Sequence, residues 1–203
     1  MSELERWETR FAAEGYVFGT EPNAFLKAQA PRLVHGQRAL AVADGEGRNG
    51  VWLAEQGLDV VSVDFSPRAV AKARQLAQQR RVSIHAECGD LSTWRWPESA
   101  FDVVAAIFIQ FADPPFRETI FAGIRRTLKP GGLLLMQGYR PEQLAYKTGG
   151  PSAVENLYTA PLLRKAFTGW DIVELREHDS HVNEGAGHAG MSALIDLIAR
   201  KPR

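Results

Sequence analysis

The sequence predicts an α/β fold, a mostly parallel sheet doubly wound with helices on both faces and finished by an antiparallel strand. Three observations predict it. Short apolar, β-branched runs alternate with helical segments from Arg38 to Gln137. Nearly every such run is followed by a Gly- or Asp-bearing turn. After Gly138 the alternation gives way to two long strand-like stretches, 170–178 and 191–199.

The elements follow in chain order. Residues 1–35 form an N-terminal helical segment, with Trp7, Phe11, Tyr16 and Phe18 as its aromatic face. Arg38 to Ala43 (RALAVA) is a first strand, broken by the turn GEGRNG. Asn49 to Gln56 is a helix with Val51, Leu53 and Ala54 turned inward. Asp59 to Val63 (DVVSV) is apolar enough for a strand covered on both faces, and it ends in Asp64. Ser66 and Pro67 suit the N-cap and first turn of a helix reaching about Gln79. Val82 to Ala86 gives a third strand and Phe101 to Ile107 a fourth, joined by the surface connection DLSTWRWPES. Pro114 and Pro115 open a helix whose inward face is Phe116, Ile120, Ile124 and Leu128, closed by LKPGG before the strand Leu133 to Gln137. A loop, a helix near 160–167 and the strands 170–178 and 191–199, paired antiparallel at one sheet edge, complete the chain.

Bulk properties exclude several classes. A chain of 203 residues with 45% hydrophobic content buries one sizeable core. Lysine plus arginine (24) equals aspartate plus glutamate (24), so no single-sign field gathers nucleic acid or anionic lipid, and a small-molecule substrate is expected. Cys88 is the lone cysteine, which excludes an internal disulfide and fits a reducing, cytoplasmic setting. The start MSELERWETRF lacks the apolar stretch of a signal peptide, and no run approaches the roughly 18 apolar residues of a spanning helix. The expectation is a monomer or homodimer without nucleic-acid or membrane partners.

An open parallel sheet binds ligands at the carboxyl ends of its strands, so the residues just after each strand carry the chemistry. Gly45-Glu46-Gly47-Arg48-Asn49-Gly50 lets the backbone approach a ligand and turn into a helix N-terminus, although glycine pairs also close ordinary turns. Asp64, nineteen positions beyond Gly45, can accept from both hydroxyls of a ribose or merely cap the next helix. These residues also satisfy the dinucleotide fingerprint, which keeps an NAD-dependent oxidoreductase of Rossmann type open. Gly89-Asp90-Leu91 offers a short carboxylate to an adenine amino group and a backbone N–H to a ring nitrogen, or forms a solvated loop. LKPGG is a helix stop and turn.

With these four features in order, the chain resembles class I S-adenosylmethionine-dependent methyltransferases along its length. The segments Tyr16 to Phe25 (YVFGTEPNAF), GEGRN at 45–49, Gly149-Gly150-Pro151, and Glu184-Gly185 with His188 and Gly190 resemble the tellurite-resistance and thiopurine methyltransferase-like branch. The resemblance implies a Rossmann-like sheet of seven strands, the last antiparallel. It divides the single domain into a lid (1–35), a core holding S-adenosylmethionine and its product S-adenosylhomocysteine (36–140), and an acceptor-side region (141–203). It places the cofactor against Ala43, Asp44, Gly45, Gly47, Arg48 and Asn49. Asp64 then holds the ribose, Phe65 and Ser66 lie beside the adenine, and Asp90 and Leu91 read the adenine edge. Ile107, Phe108 and Gln110 face the methionine amino group and the reactive methyl. From the lid, Arg10 reaches the methionine carboxylate and Tyr16 covers the site.

Two departures stand out. Where the family usually reads Asp-Leu-Gly-Cys-Gly, this chain has Ala41-Val42-Ala43-Asp44-Gly45, losing an acidic residue and a glycine and gaining Asp44. A positive φ at Ala43 would be strained. The sulfonium makes its methyl group electrophilic, so the protein's task is alignment, and no covalent nucleophile is needed. Acceptor-side candidates are Tyr139, Arg140, His181, Glu184 and His188; the spacing of the histidines and glutamate fits no strong metal motif, and no metal is expected. A non-catalytic nucleoside-binding module is the third reading, motivated by Ala41 and Ala43.

Overall fold

The computed structural model of the chain describes residues 2–185 and 189–203. Its centre is a seven-stranded sheet: β1 (Arg38–Val42), β2 (Asp59–Asp64), β3 (His85–Cys88), β4 (Phe101–Ile107), β5 (Leu128–Tyr139), β6 (Asp171–Asn183) and β7 (Ala189–Arg200). The order is β3-β2-β1-β4-β5-β7-β6, parallel from β3 to β5, with β7 antiparallel to both its neighbours. Order reverses between β1 and β4, which opens a crevice at the carboxyl ends of those strands.

Helices α1 (Glu3–Phe11), α2 (Ala24–Ala28), α3 (Arg48–Glu55), α4 (Pro67–Arg80), α5 (Pro114–Thr127), α6 (Gln143–Tyr146) and α7 (Ala160–Ala166) surround the sheet. Strand alternation splits the core in two. Leu40, Val42, Val61, Val104 and Leu134 pack under Ile120, Phe121 and Ile124 of α5 and Leu163 of α7. Ala39, Val60, Val103 and Leu135 pack on the other face against Leu26 of α2 and Trp52 and Leu53 of α3. The predicted doubly wound α/β architecture is therefore the observed one.

Three strand boundaries differ from those the sequence predicts. The third strand is His85–Cys88, later than the predicted 82–86, because Arg81 stops α4 at φ +59 and the Val82 N–H closes the helix onto the Ala77 carbonyl. The fifth strand starts at Leu128, since Leu128 already pairs with Phe101 and a bulge absorbs Lys129 to Gly132 before pairing resumes at Leu133. The last two strands run several residues further, pairing from Asp171↔Arg200 to Asn183↔Ala189 as one long hairpin.

Candidate functional site

The strand-end loops and α1 enclose a cavity of about 1060 Å³. Its floor comes from the crevice: Ala43, Asp44 and Gly45 after β1, Asp64 and Phe65 after β2, Asp90 and Leu91 after β3, and Ile107, Phe108 and Gln110 after β4. Tyr139 closes the β5 end, Arg48 and Asn49 project from the first turn of α3, and Trp7, Arg10 and Phe11 of α1 with Phe18 form the roof. Trp7 stacks on Phe11 with centroids 5.4 Å apart, and the Arg10 guanidinium lies over the rings of Trp7 (5.1 Å) and Phe18 (4.8 Å). Desolvation lowers the Arg10 pKa from its ordinary value.

Asp64 is nearly buried, and its two oxygens accept from the N–H groups of Gly45 (2.9 Å) and Ser66 (2.9 Å). Each oxygen retains a lone pair for a further donor. Burial raises the Asp64 pKa, opposed by those N–H bonds. Asp90 accepts from Ser92 N–H through one oxygen (2.8 Å). The aromatic ring of Phe108 stacks on Tyr139 with centroids 4.7 Å apart, and the Phe108 backbone sits at φ +53. Burial pushes the Tyr139 hydroxyl well above its usual range, so it stays protonated.

The altered glycine motif has a structural consequence. Ala43 does adopt a positive φ (+48), the conformation in which a side chain costs about 1 kcal/mol. Asp44 turns inward, accepting from Gly50 N–H (3.1 Å) and Ser62 Oγ (2.8 Å), and only a residue without Cβ at position 50 leaves room for that carboxylate. Burial raises the Asp44 pKa from 3.8 to about 7. A carboxyl whose folded pKa lies above its unfolded one stabilises fully below pH 4 and loses that contribution as pH rises through 7. Asp44→Asn is expected to raise the melting temperature at pH 8, by an amount equivalent to the order of 3 kcal/mol, and to flatten the stability profile between pH 4 and 8. Thermal melts across that range check it; an unchanged profile would exclude Asp44 as the group responsible.

Several predicted site residues lie elsewhere. Gly47 is not at the cavity: at φ +88 it lets α3 touch Ala73 of α4, whose Cβ is 2.6 Å from where a Gly47 Cβ would be. Ser66 is the N-cap of α4, accepting from Ala69 N–H and donating to Glu8 of α1. Tyr16 packs behind the site, its hydroxyl donating to the Lys72 carbonyl (3.4 Å). Arg140 pairs with Asp179 (2.5 Å), and His181 lines a second cavity of about 640 Å³ bounded by α2 and the hairpin. Glu184 is not on the wall of the central cavity either; it forms an ion pair with Arg48 (2.7 Å). His188 lies outside the described residues. Among the described residues no group of three His, Cys, Asp or Glu could hold a metal ion, and no helix is long and apolar enough to cross a membrane.

The structure also assigns roles that the spacing did not reveal. Glu46 is buried and accepts from Val17 N–H (2.7 Å) while pairing with Lys72 (2.8 Å), which itself donates to the Ala13 and Gly15 carbonyls. Asn49 Oδ1 accepts from Asn23 N–H (2.9 Å), and Asn23 Nδ2 donates to Gln137 (2.7 Å) and Glu184 (3.0 Å). GEGRN is thus a hub: Gly45 faces the cavity, Glu46 and Asn49 dock the segment before α2, Gly47 seats α4, and Arg48 holds the hairpin end. The strap Gly149 to Ala153 and the rings of Phe111 and Phe116, absent from the predicted set, complete the wall of the cavity.

Comparison with known proteins agrees with this geometry. Residues 39–132 match a family model described as a methyltransferase domain. The demethylmenaquinone methyltransferase of Renibacterium salmoninarum is 31% identical over 140 residues, 68% of this chain and 54% of that protein. The chain spans about half the length of the curated relatives it matches. A structure titled "Conversion of a Disulfide Bond into a Thioacetal Group during Echinomycin Biosynthesis" superposes with a TM-score of 0.77 at 19% identity, covering 99% of this chain and 92% of that one. TehB from Haemophilus influenzae superposes at 0.71 and 14% identity, covering 98% and 66%. At those identities the structural neighbours speak for the fold alone. Over residues 39–132 the chain is thus similar to a methyltransferase domain, and its doubly wound sheet is the fold of the structures it superposes on.

Proposed function

We propose that the protein transfers a methyl group from S-adenosylmethionine to a small-molecule acceptor. One observation carries the reading: the turn after β1, Asp64 and Asp90 face one cavity, spaced along three adjacent strands about 4.8 Å apart as the parts of an adenosine are. The residues suit that group. Asp64 presents carboxylate lone pairs beside the half-buried Gly45 backbone, Asp90 and Leu91 present an acceptor and a donor at the adenine position, and Arg10 offers a partly desolvated cation to a carboxylate.

When bound, the cofactor supplies an electrophilic methyl on sulfur, so the acceptor's lone pair forms the new bond while the carbon–sulfur pair stays with sulfur. The chain's own residues align and exclude water: Ile107 to Gln110 form the backbone wall, Phe108 and Tyr139 stack beside it, and α1 roofs the site. An already anionic acceptor, such as a thiol in its thiolate form or a chalcogen oxyanion, needs no base and fits the protonated Tyr139. The division into a lid (1–35), a cofactor core (36–140) and an acceptor side (141–203), membership of the tellurite-resistance and thiopurine methyltransferase-like branch, and a cytoplasmic monomer or homodimer belong to the same proposal.

The cavity argues against a dinucleotide. A pyrophosphate binds at the helix N-terminus after the glycine loop. Here the Gly50 N–H is taken by the Asp44 carboxyl, which occupies a donor that a phosphate would need. Incubation with S-adenosylmethionine and a panel of thiol, selenium and tellurium acceptors should yield S-adenosylhomocysteine in proportion to methylated product. Binding of the cofactor with no turnover on any acceptor would leave a nucleoside-binding module instead.

A further inference from the structure

Sheet order acts as a ruler along the cavity. Asp90 follows β3, Asp64 β2, Gly45 β1 and Phe108 β4, so on the proposed function an adenosine joined to an amino acid runs from β3 to β4. Tyr139 follows β5, one strand beyond. Arg48 starts near β1 but its side chain crosses to that far end: its Nη2 pairs with Glu184 (2.7 Å), and Glu184 and Arg48 both act on the charge of the Tyr139 hydroxyl. Arg48 lines the cavity, is only 6% exposed, and its Nη1 has no hydrogen-bond partner. A buried guanidinium nitrogen left unpaired is costly, and an anionic oxygen is the group that matches it.

Three arginines line one cavity: Arg6, already paired with Glu3 (2.7 Å), and Arg10 in the roof, and Arg48 at the β5 end. The cofactor has one carboxylate. We propose that Arg48 Nη1 pairs with an anionic oxygen group of the methyl acceptor, making the acceptor a small organic acid whose nucleophilic atom is held beside the Phe108–Tyr139 stack. Because Nη1 is shielded from solvent, the pairing needs the guanidinium to turn toward the cavity about its Nη2–Glu184 bond. Glu184 is a positioning residue: it holds one face of the guanidinium, and it is fixed in turn by the Asn23 amide and the Ala24 N–H (3.0 Å).

The inference rests on the methyltransferase reading but fails separately from it. The probes are S-adenosylhomocysteine and the matched pair 2-mercaptobenzoate and benzenethiol, titrated calorimetrically into the full chain. The wild type saturated with S-adenosylhomocysteine is expected to bind the carboxylated thiol at least tenfold more tightly than the neutral one. Arg48→Gln should abolish that preference, the two thiols then binding with equal affinity. Since Arg48→Gln leaves the Glu184 charge without its counter-ion, the double variant Arg48→Gln/Glu184→Gln serves as the folded control and should show the same loss. Glu184→Gln alone should tighten binding of the carboxylated thiol, an effect that a purely structural role does not produce. Equal affinity for the two thiols in the wild type, or a tenfold loss of S-adenosylhomocysteine binding in Arg48→Gln, overturns the proposal, the latter by assigning Arg48 to the cofactor. Failure of the wild type to bind S-adenosylhomocysteine overturns both readings.

Discussion

Gly47→Ala is expected to destabilise the chain by about 2–4 kcal/mol. Two costs coincide. The residue sits at φ +88, where a Cβ is strained, and that Cβ would lie 2.6 Å from the Ala73 Cβ and 2.8 Å from the Ala73 Cα. Ala73 lies within α4 and Gly47 caps α3, so relief requires moving α3 away from α4. That shift would drag Glu46, Arg48 and Asn49 with it, because all three act within a few residues of position 47. Denaturant unfolding should show a lower midpoint with an unchanged slope. A shift smaller than 0.5 kcal/mol would mean that the α3–α4 contact is not the close one described.

Asp64→Ala should weaken S-adenosylhomocysteine binding by about 1–3 kcal/mol, roughly 5- to 150-fold, since a buried acceptor for the ribose is removed. The same carboxylate also receives the Gly45 and Ser66 N–H groups, so the variant loosens the turn after β1 as well. Asp64→Asn separates the effects, keeping one oxygen for the backbone while losing the charge. Titrations of both variants, with melting curves of the ligand-free proteins, give the split. Binding within twofold of the wild type for Asp64→Ala would remove Asp64 from the ribose position.

What the sequence disclosed, and what it hid, follows from the range of the interactions involved. Asp64 and Asp90 were legible because each sits at the end of an apolar run, where strand periodicity stops and a short polar residue stands out. The helix starts at Ser66–Pro67 and Asp113–Pro114 carry their own caps and so announced themselves. Glu184 was read as an acceptor-side group because its loop follows a late strand. Its partners are Arg48 and Asn23, more than a hundred residues earlier, and nothing local marks that pairing. Glu46 was passed over between two glycines for the same reason. Gly47 illustrates a subtler limit: the spacing identified a glycine that matters, but whether its missing Cβ makes room for a ligand or for Ala73 depends on where α4 packs. The strand ends at 85–88 and 128–139 were misplaced because a left-handed Arg81 and a bulge after Phe101 are decided by sheet register, not by composition.

The central claim is that the strand-end loops cradle an adenosine joined to an amino acid. Calorimetric titration of the wild-type chain with S-adenosylhomocysteine, and in parallel with NADH, tests it most directly. The account predicts a saturable single site for S-adenosylhomocysteine and no heat from NADH. Saturation by NADH with no response to S-adenosylhomocysteine would contradict it.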